Sequence, residues 1–522
     1  MAKQQSDSLF RLIKSMSKAE KRNFKLYAKR GGNADDLKFI TLFDIIDRQT
    51  EYDESEILAK ASAITPAQLP NLKANLTKNL MVSLRLMAQQ TDAEINIRQQ
   101  IDFAKILYNK ALYQQSLATL DKARQMASKN QCTMLYYEIV DFEKQIESQY
   151  INANIDDCVE RFNIEAELQS QRVNTANALS NLAIRLYGYF LRNGYIRNQT
   201  DQQMISDYFH LALPIIKFED LTLVEQMNYC QAYFWYYLVN QDFLNAFRYS
   251  SRWVAIFHNS PDALVKHPEM YIKGLNNLLD GLYFTKDFER FNNSLNELVS
   301  LRERADIVTN KNVELLLSQY YYTHRINWFF MQGLFDDGVK IIPDLLQFIS
   351  DNEHFLDNHT ILIFYYKIAS LYFGNSDYHN TVKYLSKVIN YKDPDLRSDI
   401  QCFARILNLI SHYELENLDL VDYLIKSTFR FLSKMKDLHR VQKEMIFFLR
   451  RLPKVQPGKL NDAFVVLYHD LLKLQDDPFE RRPFLYLDVI SWLESKIYKI
   501  PVQQVIRTKF LSGTFALHNE QL

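Results

Sequence analysis

The side chains able to do chemistry are scattered along this 522-residue chain. His354 and His359 lie five apart in a stretch that reads as a loop, so they do not share a helix face as a metal-binding pair at i, i+4 would. The paired carboxylates Asp336-Asp337 and Asp476-Asp477 fall at helix starts or in turns, where an acid satisfies open backbone N–H groups; that makes them capping residues rather than an acid–base pair. Cys132, Cys158, Cys230 and Cys402 are too far apart for a zinc knuckle or a redox pair, and isolated cysteines behave as small buried hydrophobes of a reducing compartment. There is no glycine-rich phosphate loop, no H-E-x-x-H and no G-x-S-x-G elbow. The expectation is a protein that is not an enzyme, with no catalytic residues, no cofactor and no metal.

One cluster of charge stands out. The first 30 residues hold nine basic side chains against two acidic ones, with Lys18, Lys21, Arg22 and Lys25 on one helical face. Such a face is either solvated beside its own acidic neighbours or a contact for nucleic acid or an acidic partner. Ser17 with Glu20 reads as a capping box for the helix that carries it. Downstream, ILAKASAITPAQLPNLKANL can be forced onto a helix-turn-helix, but Pro70 inside the would-be recognition helix speaks against that reading.

Composition indicates what must position these groups. The chain has 11 Gly and 12 Pro, 13% aromatic and 47% hydrophobic residues. Few breakers over such a length favour long helices and an all-α fold. The formal charge is zero, with 62 basic and 62 acidic residues, so net charge points to neither nucleic-acid coating nor membrane binding. No stretch approaches the ~18 apolar residues of a membrane span, and the N-terminus carries no signal-like apolar run. A cytoplasmic location is expected.

The clearest organised stretch is residues 361–394, ILIFYYKIASLYFGNSDYHNTVKYLSKVINYKDP, which Pro394 ends. Ile363, Tyr366, Ala369, Tyr372 and Phe373 form one apolar stripe, and Tyr378, Val382, Leu385, Val388 and Ile389 a second. Between them Gly374-Asn375-Ser376-Asp377 reads as a turn, with Gly374 supplying left-handed geometry. Similar hairpins centre on Ala104–Ala123, on Phe243, Phe288 and Phe335, and more weakly on Ile155 and Leu418, so the anchors Phe243, Phe288, Phe335, Tyr378 and Leu418 are spaced by 45, 47, 43 and 40 residues. The pattern Ala369-x2-Tyr372-x5-Tyr378-x6-Leu385-x2-Val388 resembles the tetratricopeptide repeat, with a longer period than that family's ~34 residues. The resemblance implies a right-handed superhelix, an α-solenoid of about eight helical hairpins. Residues 1–96 read as an N-terminal helical cap, 97–435 as the tetratricopeptide-like array and 436–522 as C-terminal capping helices that cover the last exposed apolar face. Within the array, hairpin two is expected to end with a helix at 156–171, and hairpin three to start with a separate one at 175–191.

In tetratricopeptide proteins the first helix of each hairpin faces the concave groove. Carrying those offsets over, the resemblance implies groove residues Lys273, Asn276, Asn277 and Asp280, then Tyr320, Thr323, His324 and Asn327, then Tyr366, Lys367 and Ser370. Asn amides can clamp an extended backbone, Lys can meet a carboxylate, and Tyr can supply flat contact area. The expected function is a scaffold or adaptor that binds a peptide or protein segment in that groove. The alternative is a ligand- or peptide-controlled regulator whose basic N-terminal face touches nucleic acid or a partner protein.

Overall fold

The computed structural model describes residues 8–29, 34–61, 64–150, 155–391, 397–434 and 439–513, and among them every regular element is helical, with no strand. None of these helices is long and apolar enough to cross a membrane.

The fold repeats one backbone device. At Ala111, Gln131, Gln241, Lys286, Gly333, Ser376 and Glu416 the chain turns through a left-handed residue, with φ between 56° and 66°. The next residue's N–H reaches back five positions, as from Asp242 to Tyr237, Asp287 to Leu282 and Asp377 to Tyr372, at 2.9–3.1 Å. This closes the preceding helix as a Schellman motif. One residue further on the next helix begins, at Tyr113, Thr133, Phe243, Phe288, Phe335, Tyr378 and Leu418. The anchors expected from sequence are therefore first residues of second helices. The left-handed position belongs to Ser376, not to Gly374. Gly374 is small for a different reason: a Cβ there would lie 2.2 Å from Cδ1 of Phe335, the anchor of the preceding turn. Its lack of a side chain lets an aromatic ring lie on the helix backbone.

Packing divides the chain between Asn174 and Thr175. In the first unit, Phe24, Phe43, Ile46, Leu76 and Leu80 form a core, and the Ser17–Glu20 capping box closes as expected. The helix Leu69–Ala88 carries Pro70 in its first turn, where a missing N–H costs nothing, so the proline starts this helix rather than interrupting it. A second cluster joins Ala104, Leu120, Ala123, Leu135 and Ile139 from Ala93–Asn109, Tyr113–Lys129 and Thr133–Glu147.

The dividing point falls inside one helix, Ile155–Asn193, of 39 residues. The two helices expected at 156–171 and 175–191 are continuous, because Arg172-Val173-Asn174 holds neither Gly nor Pro and nothing interrupts the hydrogen-bond ladder. In the second unit, Leu223–Val239 packs on Phe243–His258, Pro268–Phe284 on Phe288–Leu301, Asn358–Gly374 on Tyr378–Ile389, and Ser398–Glu414 on Leu418–Lys434. Pro343 delays its helix: Val339–Ile341 is a 3-10 turn and the α-helix starts at Ile342. The C-terminal helices do not stand apart. Trp492 and Leu493, fully buried, share one continuous core with Leu385, Leu407 and Leu471. The stretch with Phe484, Leu487, Ile490 and Ile497 breaks at Leu487-Asp488 into Arg482–Tyr486 and Val489–Tyr498, and Val502–Ser512 follows.

Candidate functional site

The second unit holds a chamber of about 1280 Å³. Its floor comes from the first helices of successive hairpins: Pro268–Phe284, Lys311–Gln332 and Asn358–Gly374. Its other wall comes from the C-terminal segment, through Tyr486, Leu487, Asp488, Ile506, Lys509 and Phe510.

The floor carries the residues singled out above. Lys273, Asn276, Asn277 and Asp280 line the chamber from the first of these helices, Tyr320, Thr323 and Asn327 from the second, and Tyr366, Lys367 and Ser370 from the third. The spacing explains this: positions three, four and seven apart share one helix face. His324 sits differently. It is fully buried beneath the floor, with Nε2 2.9 Å from Asn276 Oδ1 and Nδ1 3.5 Å from Asn327 Nδ2. Asn327 also accepts a short hydrogen bond from Lys367 Nζ, and Asn276 donates to Asn277 at 3.3 Å. A chain of polar contacts thus crosses three helices. The imidazole is held neutral: burial, and then the charge of Lys367, push its pKa down to about 3. Thr323 and Ser370 spend their hydroxyls on the carbonyls of Gln319 and Tyr366, one turn back.

Asp280 is different from its neighbours. It lies deep in the chamber, yet makes no hydrogen bond and no ion-pair contact among the described residues; its charge is felt by Lys367, Tyr195, Tyr283 and Tyr320. Burial raises its pKa and the Lys367 charge opposes the rise. Burial lowers that of Lys367 and the Asp280 charge opposes the fall. Both groups are moved toward neutrality by a shortage of water.

Beside the chamber, the C-terminal segment is pinned by polar contacts. Tyr366 Oη donates to the Tyr486 carbonyl at 2.9 Å, and Arg482, 1% exposed, donates to the Asn193 carbonyl at 2.6 Å. Tyr486 Oη donates a short bond to Asp399, whose carboxylate is gripped by Arg397 through Nε and Nη2 at 2.9 and 2.8 Å. Gly194, at φ +69°, makes room: a Cβ there would lie 2.4 Å from Asp399 Oδ2. The sequence reading did not single out Arg397, Asp399, Arg482 or Tyr486. Their only visible signal was an Arg and an Asp two apart at a helix start, which is common.

The other candidates resolve as structure. His354 is exposed, while His359 is half-buried and accepts from Arg397 Nη1 at 3.1 Å. Asp477 accepts from the backbone of Phe479 and Glu480, and Asp337 pairs with Lys340 at 2.7 Å. No trio of His, Cys, Asp or Glu among the described residues could hold a metal. Cys230 and Cys402 are buried, and the Cys158 side chain lies outside the described residues. On the basic face, Lys21 pairs with Asp47 and Lys25 with Asp44, each at 2.6 Å, while Lys18 and Arg22 face solvent. In the aromatic runs Tyr320-Tyr321-Tyr322 and Phe234-Trp235-Tyr236-Tyr237, Tyr320 and Trp235 line the chamber and Tyr236 stacks on Phe209 at 4.0 Å. No family model, curated protein sequence or solved structure matches this chain.

Proposed function

We propose that the chain is a tetratricopeptide-like α-solenoid, about eight hairpins wound as a right-handed superhelix, acting without catalysis as a cytoplasmic scaffold or adaptor. Its ligand is a peptide or protein segment taken up in the chamber of the second unit. One observation carries this reading: ten residues chosen by repeat offset alone converge on a single large cavity. The repeated left-handed turn supports the solenoid, because from Gln241 to Glu416 one hairpin closure recurs every 40–47 residues. Aromatic walls with a few convergent polar groups are the usual make-up of a binding site. The regulator reading gains less support, since two of its four basic residues are engaged by acids of their own unit.

The test uses the full chain as bait in nuclease-treated lysate, beside a Thr323→Trp variant that projects a bulky ring from the chamber floor. Circular dichroism and thermal unfolding establish that the variant is folded. The expected result is a defined protein or peptide retained by the parent and lost by the variant. Equal retention by both moves binding away from the chamber and overturns the reading.

A further inference from the structure

Two charged side chains of the floor are left without contacts, and they stand at opposite ends of one helix face. Lys273 makes no hydrogen bond or ion pair among the described residues, and neither does Asp280. Between them lie Asn276 and Asn277, whose amides complete the band. Seven residues of α-helix separate the two Cα positions by about 10.5 Å along the axis. An extended peptide advances about 3.3 Å per residue, so this distance, lengthened by up to ~6 Å through the flexible four-carbon lysine stem, matches a free peptide of roughly three to five residues.

The surroundings argue for polarity in one direction. The Asp280 charge is felt by Tyr195, Tyr283 and Tyr320, which line the same chamber, and a carboxylate in an aromatic-lined cavity suits an ammonium group. Lys367, the other charge near it, is already committed to Asn327. At the opposite end Lys273 offers a cation to a carboxylate. The amides between can hydrogen-bond a peptide backbone without regard to side chains.

We propose that the chamber selects short peptides with both termini free, the N-terminal ammonium docking at Asp280 and the C-terminal carboxylate at Lys273, with the helix Pro268–Phe284 acting as a length gauge. This rests on the chamber being the binding site, and it goes further by naming both ends of the ligand. Binding draws a proton from Asp280. Burial pushes that carboxyl up to about 7 in the empty chamber, and the ammonium favours its ionised form. Lys367 from Asn358–Gly374 and Tyr195, Tyr283 and Tyr320 are the groups that face it. Affinity therefore weakens as pH falls below about 7, approaching tenfold per pH unit once Asp280 is protonated and the peptide amine is fully charged.

The experiment incubates the full chain with four randomised peptide pools of two to eight residues: free, N-acetylated, C-amidated, and blocked at both ends. Retained peptides are recovered by gel filtration and identified by mass spectrometry, with Asp280→Asn and Lys273→Met variants run in parallel. The expected result is tenfold or greater enrichment of free peptides of three to five residues. Asp280→Asn should abolish discrimination against acetylated peptides only, and Lys273→Met against amidated peptides only. Each variant keeping its sensitivity to the other terminus shows that the chamber is still formed. Retention of all four pools alike, or of long peptides irrespective of their ends, overturns the gauge while leaving a peptide-binding chamber intact. Retention of no pool overturns both.

Discussion

Arg397–Asp399 and Asp280–Lys367 are two acid–base pairs in the same unit, both surrounded by protein, and they behave in opposite ways. In the first, two donors of one guanidinium grip one carboxylate, Tyr486 adds a third bond, and Asp399 is fully buried. Burial alone would raise the Asp399 pKa, but the charge and hydrogen bonds of Arg397 outweigh it and bring the value down to about 2. In the second pair the partners sense each other across the chamber without contact, and desolvation wins for both. Burial does not determine ionisation; contact geometry decides whether buried charge is kept or given up. The pair in contact locks the C-terminal segment in place. The pair held apart leaves the Asp280 carboxyl open to whatever enters the chamber, while the Lys367 amine stays on Asn327.

The contrast can be broken most forcefully at Arg397. Arg397→Met strands a buried carboxylate and should cost about 3–5 kcal/mol of unfolding free energy; a loss below about 1 kcal/mol in denaturant titration would mean the contact is not what holds the segment. A smaller effect of opposite sign is expected at Asp280. An acid whose folded pKa is raised stabilises the fold fully below its unfolded value of 3.8, and that contribution disappears as pH rises through the folded value. Asp280→Asn should therefore gain stability on the parent as pH rises to about 8, by on the order of 1–2 kcal/mol. Asp399 has the reverse sign: its contribution is present above the unfolded value and fades as pH falls toward about 2. Parallel pH profiles for Asp280→Asn and Asp399→Asn would erase the distinction drawn here. The smallest effect is expected where water surrounds the pair. Lys25→Ala, which removes an exposed bridge to Asp44, should change stability by less than about 1 kcal/mol, and added salt should shrink even that.

The helical elements and their anchors were legible because they depend on local patterns: Phe243, Phe288, Phe335 and Tyr378 each start a helix after the same turn. The floor of the chamber was legible for a related reason, since Lys273, Asn276, Asn277 and Asp280 share a face by spacing alone. What the residues did not announce was long-range. Nothing near Tyr486 indicates that it meets Asp399, 87 positions away, or that Arg482 reaches Asn193. The left-handed turn residues were hidden as well: Ala111, Gln241, Lys286 and Glu416 take a geometry usually given to Gly, so a search for Gly overlooks them. At residues 172–174 the missing information was negative, because a helix that simply continues carries no mark.

The bond from Arg482 to the Asn193 carbonyl also bears on the order of assembly. The two residues are 289 positions apart. At a synthesis rate of about 5–20 residues per second, the carbonyl waits on the order of tens of seconds for its donor. Hairpins made in that interval can close by themselves, since each turn needs only its own neighbours. The chamber cannot. Until Asp477–Ser512 is made, its aromatic floor faces solvent, so the growing chain passes through a stage in which folded hairpins present a groove that the finished protein largely covers. That stage is when the second unit is most open to chaperones, and to a ligand too large to enter later.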